Sequence, residues 1–258
     1  MYKNIILFLG MSLFILNGCG GGESNALSKQ STINNQNATT QTKKTSNTID
    51  LLIVVDKNDR NNFNGINETK LEHAIAVSNK IYKNSQLDIK LNIKKIQPYS
   101  LKNETSEDVL YAMYKDKNIT SIRNEVKADL VIVYRKYADD GTCGIAYIND
   151  TFDRDFGYGH VSLDCISSTL SHEIGHSMGL DHSEEDTSSY AHGYGVEGVF
   201  HTVMAYGTTY KSHNQMFNYS SPELECEGQK CGIDVELENG TDAVKALKNA
   251  VNFVASFN

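Results

Sequence analysis

The sequence predicts an α/β fold, with helices packed on a mixed sheet. Two observations carry this. Apolar runs and an alternating run read as strands, and stretches of helical period fall between them. Strands that alternate with helices imply crossover connections, so the sheet is expected to be at least partly parallel. The chain has 258 residues, 40% hydrophobic and 22% charged, enough for a sizeable core.

The N-terminal stretch MYKNIILFLGMSLFILNGCGGG stands apart from that fold. Lys3 precedes an apolar run from Ile5 to Leu16. The run is shorter than the roughly 20 residues of a membrane span, and its layout is that of a secretion signal. Its end, Leu16-Asn17-Gly18-Cys19, resembles the lipobox of bacterial lipoproteins. That resemblance implies a signal peptide over residues 1–18 and a lipid on Cys19. It also implies a place in the bacterial cell envelope, at the outer membrane or cell surface, with secretion as the alternative. Glu23 to Thr48 is mostly Ser, Thr, Asn, Gln and Lys, without an aromatic residue. Such a stretch buries too little apolar surface to offset its ordering entropy, so residues 19–47 are expected to be anchor and disordered tether. The folded domain is then 48–258.

IDLLIVVD (Ile49 to Asp56) is continuous and apolar, as a buried strand is. Leu71, Ala74, Ile75, Ser78, Ile81 and Tyr82 line one face of a helix, with Asn67 available as its cap. LDIKLNIKKI (Leu87 to Ile96) alternates, which suits a half-buried strand. Ser106 to Tyr114 reads as a second helix, with Glu107 and Asp108 favoured in its first turn. ADLVIVYRKY (Ala128 to Tyr137), GIAYI (Gly144 to Ile148) and HVSLDC (His160 to Cys165) supply three more strands. Ser168 to Leu180 has helical spacing at Leu170, Ile174 and Met178. TDAVKALKNAVNFVASF (Thr241 to Phe257) closes the chain as an amphipathic helix.

The net charge is −8, with lysines and arginines scattered. Phosphate binding needs a basic patch, so nucleic acid is not expected as a partner.

TLSHEIGHSMGLDHS (Thr169 to Ser183) carries the chemistry. His172 and His176 are four apart, so both imidazoles leave one helix face. Gly179 can adopt a left-handed conformation, stop the helix and let His182 come round as a third ligand. Three imidazole nitrogens leave the fourth tetrahedral position of Zn²⁺ open, the layout of a catalytic site rather than a structural one. Glu173 sits beside the metal without being aimed to bind it.

At these residues the chain resembles the metzincin metalloproteases, whose zinc signature is H-E-x-x-H-x-x-G-x-x-H. Metzincins also carry a methionine turn beneath the metal, and TVMAY supplies Met204. The order of strands, helices and cysteines looks like the bacterial reprolysin-like, adamalysin-type group. The HGYG stretch at His192, the SSP at Ser220 to Pro222 and the final helix follow that order. Two positions depart from it. Ser183 stands where adamalysins usually have aspartate, and Tyr206 makes an M-x-Y pattern as in astacins and serralysins.

The resemblance implies a metzincin-type zincin fold, with a five-stranded mixed sheet and a small C-terminal subdomain ending in a helix. It implies a zinc endopeptidase acting on proteins or peptides, with a water on the metal activated by Glu173 and a supporting hydroxyl from Tyr206. Substrate would lie extended along the edge strand Gly144 to Ile148. Specificity would sit in the wall after the methionine turn, around Gly207 to Ser221.

Apart from Cys19, four cysteines remain: Cys143, Cys165, Cys226 and Cys231. An even count in an exported chain suggests two disulfides, and four cysteines allow three pairings. Cys226–Cys231 is favoured as a short local loop, and Cys143–Cys165 as a tie between the fourth and fifth strands. DTFDRD (Asp150 to Asp155) is an oxygen-rich loop of the kind that can bind Ca²⁺. His192 is a candidate for the cleft lining. His73, His160, His201 and His213 read as surface or internally satisfied histidines.

Overall fold

The strand β1 (Thr48–Asp56) sits second in a five-stranded sheet of order β2-β1-β3-β5-β4. Its partners are β2 (Lys90–Tyr99) and β3 (Leu130–Arg135), both parallel to it. β3 pairs in parallel with β5 (Tyr158–Ser162), and the three-residue β4 (Gly144–Ala146) closes the edge antiparallel to β5. The sheet is therefore mixed, as the sequence predicts. The computed structural model describes residues 47–57, 68–102, 104–183 and 189–258, all within one unit, Lys44–Asn258. The signal, the lipidation at Cys19, the tether and the Asn67 cap lie outside the described residues.

Parallel pairing demands crossovers, and helices provide them. α1 (Glu68–Asn84) links β1 to β2. α2 (Ser106–Lys115) and α3 (Lys117–Val126) link β2 to β3. Side chains on a strand alternate between faces, so β1 serves two cores. Ile49, Leu51, Ile53 and Val55 join α1 and the C-terminal helix in the larger cluster. Leu52 and Val54 join Val109, Leu110 and Met113 of α2 and Ile119 of α3 in the smaller.

The helix α3 was not foreseen. Its buried side chains are Ile119 and Arg123, and a buried arginine leaves no apolar stripe to read. Arg123 is held instead by carbonyls: Nη1 donates to Arg154 O at 2.9 Å and Nε to Ala128 O at 3.3 Å, while Nη2 donates to Asp129 O. Asp116 caps the helix, accepting from Asn118 N at 2.7 Å.

Several boundaries shift. The fourth strand stops at Ala146 rather than Ile148, and the fifth runs from Tyr158 to Ser162 rather than from His160 to Cys165. α4 is Thr169–Ser177, shorter than the Ser168 to Leu180 pattern, and Gly179 follows with φ +82°. Beyond it come two small hairpins, β6 (Gly195–Val196) with β7 (Phe200–His201), and β8 (Ser221–Cys226) with β9 (Gln229–Cys231). The final helix α5 (Ala243–Val254) buries Val244, Leu247, Val251 and Val254 in the cluster that also holds Leu170 and Ile174 of α4. The C-terminal part thus shares the main core. Both favoured disulfides are present: Cys143–Cys165, with Cα atoms 5.6 Å apart, and Cys226–Cys231, with Cα atoms 5.2 Å apart.

Candidate metal centre and cleft

α4 directs His172 and His176 from one face, and the turn at Gly179 brings His182 to them. That turn is tight: a Cβ on Gly179 would lie 3.2 Å from Asp150 Cα. The Nε2 atoms of His176 and His182 are 3.0 Å apart, and those of His182 and His172 3.1 Å. On the far side of the rings, His172 Nδ1 is 2.9 Å from Val203 O and His176 Nδ1 is 2.8 Å from Leu180 O. A carbonyl only accepts, so each Nδ1 carries the proton and each Nε2 presents a lone pair.

Those lone pairs converge on one point, which is unfavourable unless a cation sits there. Tetrahedral zinc with nitrogens at about 2.0–2.1 Å would set them about 3.3 Å apart, close to the spacing seen. The residues therefore fit the ion. Burial pushes the His172 and His176 imidazoles down, to about 4 and about 3, so both are neutral ligands near pH 7. Among the described residues, His172, His176 and His182 are the one group of three or more such side chains whose ligand atoms converge. The Asp150 to Asp155 loop gathers no such set. Asp153, exposed at the surface, caps the following turn, accepting from Asp155 N at 2.9 Å. The calcium expectation has no support there.

Glu173 is 3% exposed, and burial lifts its carboxyl to about 8. Oε2 is buried without a partner. The rest of the carboxyl lies against the backbone of β4: a Cβ on Gly144 would fall on Oε1 and come within 2.7 Å of Cδ and Cγ.

Met204 is fully buried beneath α4. A Cβ on Gly175, between the two helical histidines, would meet its Sδ at 2.6 Å. The same turn supplies Val203 O to His172. The HGYG stretch joins this turn to the third histidine, because Gly193 N donates to His182 O at 3.1 Å and a Cβ at Gly193 would strike the backbone around Ala205. Tyr206 lies across the triad, with its hydroxyl 2.9 Å from His182 Nε2.

The three histidines, Glu173 and Tyr206 line an open cleft of about 800 Å³, with Gly144, Ile145 and Ala146 of the edge strand along one wall. His192 is not in that wall. It is buried, with Nδ1 2.8 Å from Gly193 O. Gln215, within the expected wall from Gly207 to Ser221, lines both this cleft and a neighbouring hollow, as does His201, which sequence reasoning did not place there. A two-residue strand gives too little pattern to place His201. Ser168 Oγ donates to Gln215 Oε1 at 2.7 Å, a contact across 47 residues that no local pattern signals.

Comparison with known proteins agrees with this geometry. Residues 68–183 match the metallo-peptidase family M12B, reprolysin-like. A peptidyl-Asp metalloendopeptidase of Pseudomonas aeruginosa is 34% identical over 174 residues, which is 55% of this chain and 28% of that protein. A protein of the same name from Xanthomonas campestris pv. campestris is 27% identical over 221 residues, 80% of this chain and 52% of that one. The chain thus spans less than two thirds of either relative. A solved structure described as a chaperone-substrate complex superposes with a TM-score of 0.69 over 83% of this chain and 35% of its own, at 22% identity, a likeness of fold.

Proposed function

We propose that this chain, which carries a reprolysin-like metallopeptidase domain, is a zinc-dependent endopeptidase that cuts extended segments of proteins or peptides. The observation that carries the proposal is the convergence of three imidazole Nε2 atoms beside the buried Glu173, in a cleft with a sheet edge for its wall. A zinc ion held by His172, His176 and His182 supplies a Lewis acid that acidifies water and polarises the scissile carbonyl.

The chain's own groups do the rest. Glu173 lies beside the histidine set with its Oε2 unpartnered. It takes the proton of the attacking water and delivers it to the leaving amine. The Tyr206 hydroxyl donates to the carbonyl oxygen as that atom gains charge. The free side of β4 offers backbone groups to an extended substrate, which suits unfolded or looped segments.

The two relatives are named for peptidyl-Asp bonds, and we extend an acidic preference to this chain. The hollow beyond Tyr206 supports it. Its lining includes His201, Lys211, His213, Asn214 and Gln215, and no carboxylate among the described residues, in a chain of net charge −8. Lys211 is itself paired with Glu197 at 2.5 Å, and burial with the neighbouring His213 holds the His201 imidazole down, so the hollow offers hydrogen-bond donors to an acidic side chain rather than a standing positive charge. The lipobox-like end at Cys19 supports a lipid-anchored place in the cell envelope.

The test uses residues 48–258 loaded with zinc and a complex peptide mixture, alongside a Glu173→Ala version, with new ends identified by mass spectrometry. New ends made only by the intact protein, lost with a chelator and clustered at acidic residues, are expected. Matching samples at one zinc per chain would favour a binding role instead.

A further inference from the structure

Gly144 is a glycine for want of space. Its φ is not among the positive values of this chain, so its backbone conformation does not demand glycine. The Glu173 side chain fills the space a methyl would need, so an alanine at Gly144 would overlap it until that side chain moves.

The backbones of the strand and of the helix are both held in place. Gly144 pairs with Val161, and on its N-terminal side Ser162 N donates to Cys143 O at 2.8 Å. Ser162 Oγ donates to Thr142 O at 3.3 Å, and Cys143 is bonded to Cys165. Across the helix, Gly175 rests on Met204 Sδ, so α4 has no room to retreat. An added methyl must be absorbed by the torsions of Glu173 itself.

We propose that Gly144 is a positioning residue for Glu173, and that the Cys143–Cys165 bridge holds β4 against the carboxyl. This rests on the endopeptidase reading of the same site. The strand that would bind substrate and the base that would activate water are then one mechanical unit. Peptide docking and the base's aim then share Gly144, the first residue of β4.

The experiment is Gly144→Ala, alone and combined with Glu173→Ala, measured by melting temperature, bound zinc, kcat and KM on a peptide substrate, and crystal structures. In the Glu173 background we expect kcat to fall by about ten- to a hundred-fold, with KM within two-fold and one zinc per chain retained. The Glu173 carboxyl should be displaced from its wild-type position. The melting temperature should drop on Gly144→Ala in the Glu173 background and stay nearly constant in the Glu173→Ala background, where the overlapping atoms are gone. If Gly144→Ala alone fails to fold, recovery of folding and zinc binding in the double variant supports the proposal. Equal melting losses in both backgrounds, or an unmoved carboxyl, overturn it. A wild-type protein without chelator-sensitive cleavage would sink the endopeptidase reading, while the melting comparison and the structures would still decide the role of Gly144.

Discussion

The hydroxyl of Tyr206 stands 2.9 Å from Nε2 of His182, and the two rings stack with centroids 4.3 Å apart. The ring is 51% exposed, so packing alone does not require a tyrosine there. Tyr206→Phe keeps the stack and removes the donor. We expect kcat to fall by about ten- to a hundred-fold with little change in KM. Steady-state kinetics check this, and unchanged turnover would remove Tyr206 from the mechanism.

Glu173→Gln replaces the buried carboxyl with an amide of the same shape. The three imidazoles are untouched, so zinc content should stay at one per chain. Turnover should fall by at least about a hundred-fold, because an amide takes no proton. Metal analysis beside kinetics separates this from simple loss of the ion.

His160 on β5 provides a pH test away from the cleft. It is fully buried, accepts from Arg135 Nε at 3.1 Å, and has Nδ1 without a partner. Burial and the Arg135 charge push its imidazole down to about 4, against a weaker opposite pull from Asp140. Above the unfolded value of about 6.5 both states are neutral and nothing changes. Below it the unfolded chain takes a proton that the folded one refuses, so stability falls as pH drops from about 6.5 towards 4. The loss is about 3 kcal/mol at most. Denaturant unfolding of metal-free wild type and His160→Gln across that window should show the variant losing less. Parallel curves would refute the assignment.

The two disulfides close loops of different length, with sequence separations of 22 and 5. Loop-closure entropy then predicts that opening Cys143–Cys165 costs about 1 kcal/mol more than opening Cys226–Cys231. Paired Cys→Ser variants compared by chemical denaturation test the order, and a reversed order would show that native contacts outweigh chain entropy.

What the sequence revealed, and what it hid, follows from distance along the chain. His172, Glu173, His176, Gly179 and His182 lie within eleven residues, and one helix plus one turn fixes their relation. The strand β1 is apolar on both faces and so reads plainly. Gly144 and Glu173 touch across 29 residues through tertiary packing, and neither residue type announces the other. α3 escaped because Arg123 is buried through carbonyl contacts rather than apolarity. His192 was misplaced because a histidine between two functional segments gives no sign of which way its ring turns.

The sheet has two outer margins, and they are unlike. β2 carries Lys90, Lys94 and Lys95 and ends near Pro98, which lacks an N–H to donate. Like charges and a missing donor repel an incoming chain, a common guard against edge-to-edge aggregation. β4, at the opposite margin, is Gly-Ile-Ala, uncharged and short. The molecule therefore leaves one margin open to an extended chain, the one facing its reactive centre, and fends off clumping at the other.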